Sequence, residues 1–165
     1  MKKYLIATLC IAAFAVFSAG AKTHKLPDAE SAVASVDIPD SWEIEEIEGG
    51  VGASSPDGAV YFAIVAVRDK KSMDAEIDDT FRMLKEHNVE LDESTKKEGK
   101  FKVNGMDADE LTFEGKDEDG PTSVSIAFVP IKDKAVVMTY WVTTAKEKAN
   151  EATVGKIVNS LKPVS

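Results

Sequence analysis

The chain has 165 residues, with 20 lysines and arginines against 29 aspartates and glutamates, a net charge of −9, and 44% hydrophobic residues. That length suits one domain with a single core, and the acidic balance excludes electrostatic binding to nucleic acid or anionic headgroups. The lone cysteine, Cys10, excludes a disulfide framework.

Lys2 and Lys3 open the chain, Tyr4 to Phe17 is almost wholly apolar, and Ser18-Ala19-Gly20-Ala21 supplies small residues at the positions a signal peptidase reads. This pattern predicts a secretory signal over 1–21, cleaved after Ala21. An uncleaved anchor is the alternative, because residues 4–21 approach the ~20 residues a spanning helix needs. Cys10 follows Leu9 inside the apolar run, which is not the place of a lipidated cysteine. Cleavage leaves 144 residues with a charge of −11 and no cysteine, hence no thiolate nucleophile or thiolate metal ligand. The expected location is the bacterial periplasm or the exterior.

Residues 22–32 are polar and predict a flexible lead that carries His24 as an exposed tail residue. Residues 33–38 alternate and predict a short strand stopped by Pro39. Residues 42–48 predict a second strand with Trp42, Ile44 and Ile47 inward, and 51–54 a third. Ser55-Pro56-Asp57-Gly58 is a turn, and residues 59–68 form a strand apolar on both faces. A helix over 72–88 follows. Ser72 or Asp74 caps it, Met73, Ile77, Phe81 and Leu84 form its apolar stripe, and Asp78 pairs with Arg82. Asn88 suits a left-handed end, with His87 beside it as a residue that favours the helix dipole. Residues 89–99 read as loop with an edge strand. Asn104-Gly105 closes a hairpin between 101–103 and 106–114. A central hairpin spans 122–144, broken at Lys132-Asp133-Lys134. In its second strand Val137 and Trp141 point one way, and Val136, Met138, Tyr140 and Val142 the other. Such a strand needs cover on both faces. The last helix, 144–162, has Thr144 and Glu147 at capping-box spacing and a buried stripe of Val154, Ile157, Val158 and Leu161. Its Gly155 predicts a close backbone approach, and Pro163 stops it.

Short hairpin turns demand antiparallel pairing. The expected fold is therefore α+β: a three-layer α/β/α sandwich on a central antiparallel sheet of six or seven strands, with one helix on each face and a single domain over 33–163.

Ile-Pro-Asp-Ser-Trp at 38–42, Ser-Pro-Asp-Gly at 55–58 before a long apolar strand, and a closing helix that ends Ile-Val-Asn-Ser-Leu-Lys-Pro at 157–163 together resemble the PsbP-like superfamily, including bacterial envelope members similar to DcrB. The resemblance covers about 33–163. It implies this same sandwich and accessory or binding roles, and it transfers no site.

The chemistry-bearing patterns are sparse. His24 and His87 form no usable pair, and there is no nucleophile with a base and an orienting group. Gly49 to Ala53 lacks the lysine and the strand-to-helix context of a phosphate loop. Asp117-Glu118-Asp119-Gly120 offers hard oxygens without the remaining positions of a calcium loop. The sequence therefore predicts no catalytic residues, no cofactor and no metal. It points to an exported, non-enzymatic accessory or binding protein of the envelope whose partner is a protein or small ligand. The alternative is a periplasmic hydrolase using carboxylates, which a pocket of carboxylates with raised pKa would favour. The candidate partner surface is Asp107, Asp109, Asp117, Glu118 and Asp119, at hairpin tips and strand edges, facing a basic or cation-bearing partner. No stable membrane span is expected once the signal is gone.

Overall fold

The computed structural model describes residues 20–67 and 70–164, the side chains of 70–74 excepted. Nearly all of the expected leader, Cys10 and the side chains of Ser72, Met73 and Asp74 thus lie outside the described residues.

Seven strands form one antiparallel sheet: β3 (Glu43–Ile47), β4 (Gly50–Ser54), β5 (Val60–Val67), β6 (Glu90–Val103), β7 (Met106–Asp117), β8 (Gly120–Ile131) and β9 (Lys134–Thr143). Their order is β3-β4-β5-β9-β8-β7-β6, so the two strands apolar on both faces, β5 and β9, lie side by side in the interior. Alternation divides their side chains between two cores. Phe62 and Ile64 of β5 join Val136, Met138 and Val142 of β9 on one face. Tyr61, Ala63 and Val67 join Val137 and Trp141 on the other.

Each face has its own cover. The first takes α2 (Glu147–Ser160) and a small sheet in the order β1-β2-β10, with β1 at Ala21–Leu26, β2 at Ala34–Pro39 and β10 at Lys162–Pro163. Ile157 and Leu161 are fully buried there, and Val154 and Val158 pack at the margin. The second face takes α1 (Lys70–Glu86) through Phe81, Met83 and Leu84. The expected three-layer arrangement, with the helices on opposite faces, is the one observed.

The end of α1 closes as expected. Asn88 has φ 57°. The Val89 amide donates to the Leu84 carbonyl (2.8 Å) and the Asn88 amide to that of Lys85 (3.0 Å), while Leu84 and Val89 share the core. This is a Schellman end. The Asn104-Gly105 hairpin likewise has positive φ at both positions, 47° and 82°, the requirement of the primed turns that match strand twist.

Several expectations are corrected. Residues 22–26 are not a flexible lead. They belong to β1, which pairs along its whole length with β2, from Ala21 opposite Pro39 to Leu26 opposite Ala34. Leu26 is 0% exposed, so one buried anchor and a row of backbone bonds hold a strand whose other side chains are mostly polar. Residues 90–103 are a full edge strand, exposed along most of its length. Its register shift between Asp92 and Lys97 is stitched by Thr95, whose hydroxyl donates to the Asp92 carbonyl (2.6 Å) and accepts from the Glu114 amide (2.8 Å). Ile44 points outward at 40% exposure because β3 is the opposite edge. Arg82 pairs with Asp79 at 2.6 Å rather than with Asp78. Thr144 lies in a 3-10 turn over Thr144–Lys146 and makes no capping bond. Gly155 meets no close backbone; a Cβ there would have nothing within 4 Å.

Candidate binding groove

A groove of about 610 Å³ runs between α1 and the sheet face that α1 covers, within the usual size range of ligand sites. Its floor is the small-residue part of the sheet, Ala63 and Val67 of β5 and Val137 of β9. One wall is α1, with Glu76, Asp79, Arg82 and Glu86. The other is the β3–β4 edge, with Glu45 and Glu48. Thr80 of α1 and Thr139 of β9 also line it. They are 4% and 1% exposed.

An aromatic cluster closes one end. Tyr61 stacks on Trp141, with ring centroids 4.5 Å apart and planes at 19°. His87 lies on both, 4.6 Å from Tyr61 and 5.2 Å from Trp141. Such contacts add to plain burial, and they give His87 a structural partner that its place at a helix end did not suggest. The Tyr61 hydroxyl donates to Glu45 Oε2 at 2.9 Å. Burial, that hydrogen bond and the Glu45 charge all push its ionisation upward. Gly52 makes the bond possible, since a Cβ there would sit 2.7 Å from the Tyr61 hydroxyl and 3.2 Å from Glu45 Cβ.

Among the carboxylates of the groove, Glu76 is the one with a raised pKa. Burial raises its pKa above the ordinary carboxylate value, and the charges of Asp79 and Glu48 add to the shift. Carboxylates from both walls therefore press on one another across the cleft. A second cavity of about 360 Å³ opens beneath α2, on the opposite face, among Met138, Tyr140, Glu151, Val154 and Gly155.

The structure does not bring the five acids chosen from the sequence together. Asp107 and Asp109 stand near the start of β7, where Lys102 and Lys100 face them across the strand pair at 2.5 and 3.3 Å. The ion pair with Lys102 lowers the Asp107 pKa. Asp117 stands ten residues further along β7, roughly 33 Å away by strand rise. There Asp117 accepts the Asp119 amide (2.9 Å) and Glu118 accepts the Asn88 side-chain amide (2.9 Å). Among the described residues no group of three histidine, cysteine or acidic side chains is placed to hold a metal. Sequence reading missed the groove because its residues come from β3, β5, α1 and β9. The hint available was Tyr61 and Trp141 at facing positions of two interior strands.

With this geometry in place, comparison with solved structures gives the architecture a context. Cyanobacterial PsbP (CyanoP) from Synechocystis sp. PCC 6803 superposes with a TM-score of 0.58 at 8% identity, covering 91% of this chain and 96% of that one. The fold is PsbP-like. The same fold occurs in LpqN, a protein involved in cell envelope biogenesis of Mycobacterium tuberculosis (TM-score 0.50, 12% identity, 88% of this chain and 92% of that one). It occurs also in a protein of Bacteroides thetaiotaomicron VPI-5482 (TM-score 0.55, 14% identity, 86% of this chain), of which the chain spans about half, 49%. No family model and no curated protein matches the sequence. Among the described residues, no helix of this PsbP-like domain is long and apolar enough to cross a membrane.

Proposed function

We propose that the chain is an exported, non-enzymatic binding protein of the bacterial cell envelope, similar in role to the DcrB-type members of the PsbP-like group. It recognises a basic or cation-bearing partner through the groove between α1 and the sheet. One observation carries the reading: carboxylates line both walls of that groove over an apolar floor, with aromatic rings at one end. The acidic turn at Asp117, Glu118 and Asp119 extends the negative face at the C-terminal end of α1, where Glu118 meets Asn88. Asp107 and Asp109, held by lysines, are the weaker part of the surface. Export rests on the charged start, the apolar run and the small residues through Ala21. Cleavage after Ala21 would keep Lys22 to Leu26, so the mature chain retains almost all of β1.

Partner capture by crosslinking in envelope extract, followed by affinity measurements across a salt series, tests the reading. Affinity should fall as salt rises. It should fall again when Glu48 and Glu76 are changed to glutamine, and less when Asp117, Glu118 and Asp119 are neutralised. Affinity insensitive to all of these changes refutes the site.

A second reading, a carboxylate-dependent hydrolase, draws on Glu76. A carboxyl held protonated above its ordinary range is suited to general acid work. Turnover of a substrate by the purified protein, lost in Glu76→Gln, would establish it in place of the first.

A further inference from the structure

We propose that the groove between α1 and the sheet binds a linear polyamine, its ammonium groups on the carboxylates of the two walls and its methylenes on the apolar floor. The inference rests on the groove being the recognition site and names the ligand class. Glu76 and Glu86 lie ten residues apart on α1, about 15 Å by helix rise, and Glu48 faces them from the turn between β3 and β4. The negative charge is thus drawn out along the cleft rather than gathered at a point. An elongated ligand with several separated cations matches that spacing, and a single metal ion does not. Between the acids the lining is apolar: Ile47, Ala63, Val67, Met83 and Val137. Ala63, Val67 and Val137 are already buried; Ile47 and Met83 are half-buried, and a methylene chain covers them where a hydrated inorganic cation leaves them wet.

The polar groups fit the same ligand. Thr80 and Thr139 line the cleft, and a hydroxyl oxygen can accept from an ammonium N–H group. The rings of Tyr61 and His87 border the cleft, and an ammonium ion is attracted to the face of a tyrosine ring. The positive side chains of the lining are Arg82, already held by Asp79 at 2.6 Å, and His87 when protonated. An anionic ligand would meet five carboxylates there.

Isothermal titration of the mature protein with spermidine tests the inference, with propylamine and magnesium chloride at matched ionic strength as comparators. The variants are Glu48→Gln, Glu76→Gln, these two combined, and Thr139→Val, with Glu93→Gln as a control outside the groove, each checked for native circular dichroism. We expect one spermidine per chain. The affinity should weaken roughly three- to tenfold in each glutamate variant, weaken in Thr139→Val, and hold in the control. Neither comparator should displace spermidine. Absence of saturable binding, equal affinity in the Glu48 and Glu76 double variant, or displacement by magnesium overturns the proposal. A basic protein partner that binds the wild type and not the double variant, with no heat from spermidine, overturns the polyamine and leaves the binding reading standing. Failure of both, together with Glu76-dependent turnover, overturns both.

Discussion

Trp141 shows how much a single residue decides here. It is 8% exposed, stacks on Tyr61 and carries His87, so it belongs to the second core and backs the two rings that border the groove. Trp141→Ala should cost about 3–5 kcal/mol of stability, measured by urea unfolding. A loss under about 1 kcal/mol would mean the stack is not packed as described. Glu76 makes a different demand. Its folded pKa is raised, first by burial and then by Asp79 and Glu48, so the folded state holds a proton that the unfolded state releases. Its contribution to stability is fully present below the ordinary glutamate value of 4.5 and is lost as pH rises through the raised folded value. Glu76→Gln should therefore gain stability relative to wild type as pH rises out of the acid range, read from thermal midpoints at pH 4 and pH 7. Parallel midpoints at the two pH values would remove the argument.

Strand β1 and helix α2 make the case at the scale of elements. The composition of 22–32 is that of a tail, yet Leu26 fills the first core beside Ala34 and Val36. Leu26→Ala should cost about 2–5 kcal/mol, whereas a true flexible lead would register almost nothing. The same strand holds His24, whose Nε2 is buried without a hydrogen-bond partner. Burial lowers its pKa, and Lys22 adds to the shift against the pull of Asp37. In α2, Gly155 faces open space, so Gly155→Ala should stabilise by up to about 1 kcal/mol through helix propensity alone. A loss of stability would show that the backbone freedom of glycine is needed there. Gly50 is the contrasting case, since a Cβ built on it would overlap the Ile64 carbonyl oxygen. That close approach lets β4 sit against β5.

For the whole molecule, two cores on the two faces of one sheet make the fold depend on closing both at once. The cover of the first face comes from both chain ends, with β1 and β2 near one terminus and α2 and β10 near the other. An export cleavage far inside residue 21 would remove part of that cover. The mature protein is expected to start at Lys22, and intact-mass measurement of the exported form checks it. A mass that retains 1–21, or a lipid adduct on Cys10, refutes the cleavage.

The sequence by itself determined the order of strands and helices from β2 to α2, the antiparallel pairing, the interior position of β5 and β9, and the placing of the helices on opposite faces. These follow from local rules: turn residues with fixed dihedral demands, as at Asn104-Gly105, and periodicity, which declares how many faces of a strand are buried. Only the tertiary structure decided that the polar residues 22–26 are a strand, because backbone pairing to β2 and one leucine outweigh composition. It also decided that Asp107 and Asp117 lie at opposite ends of β7, since a strand separates in space what it keeps close in sequence. The groove belongs to the same class. Glu45, Tyr61, Glu76, His87 and Thr139 are scattered over nearly a hundred residues, and they meet only because α1 crosses the face on which every second side chain of β5 and β9 emerges.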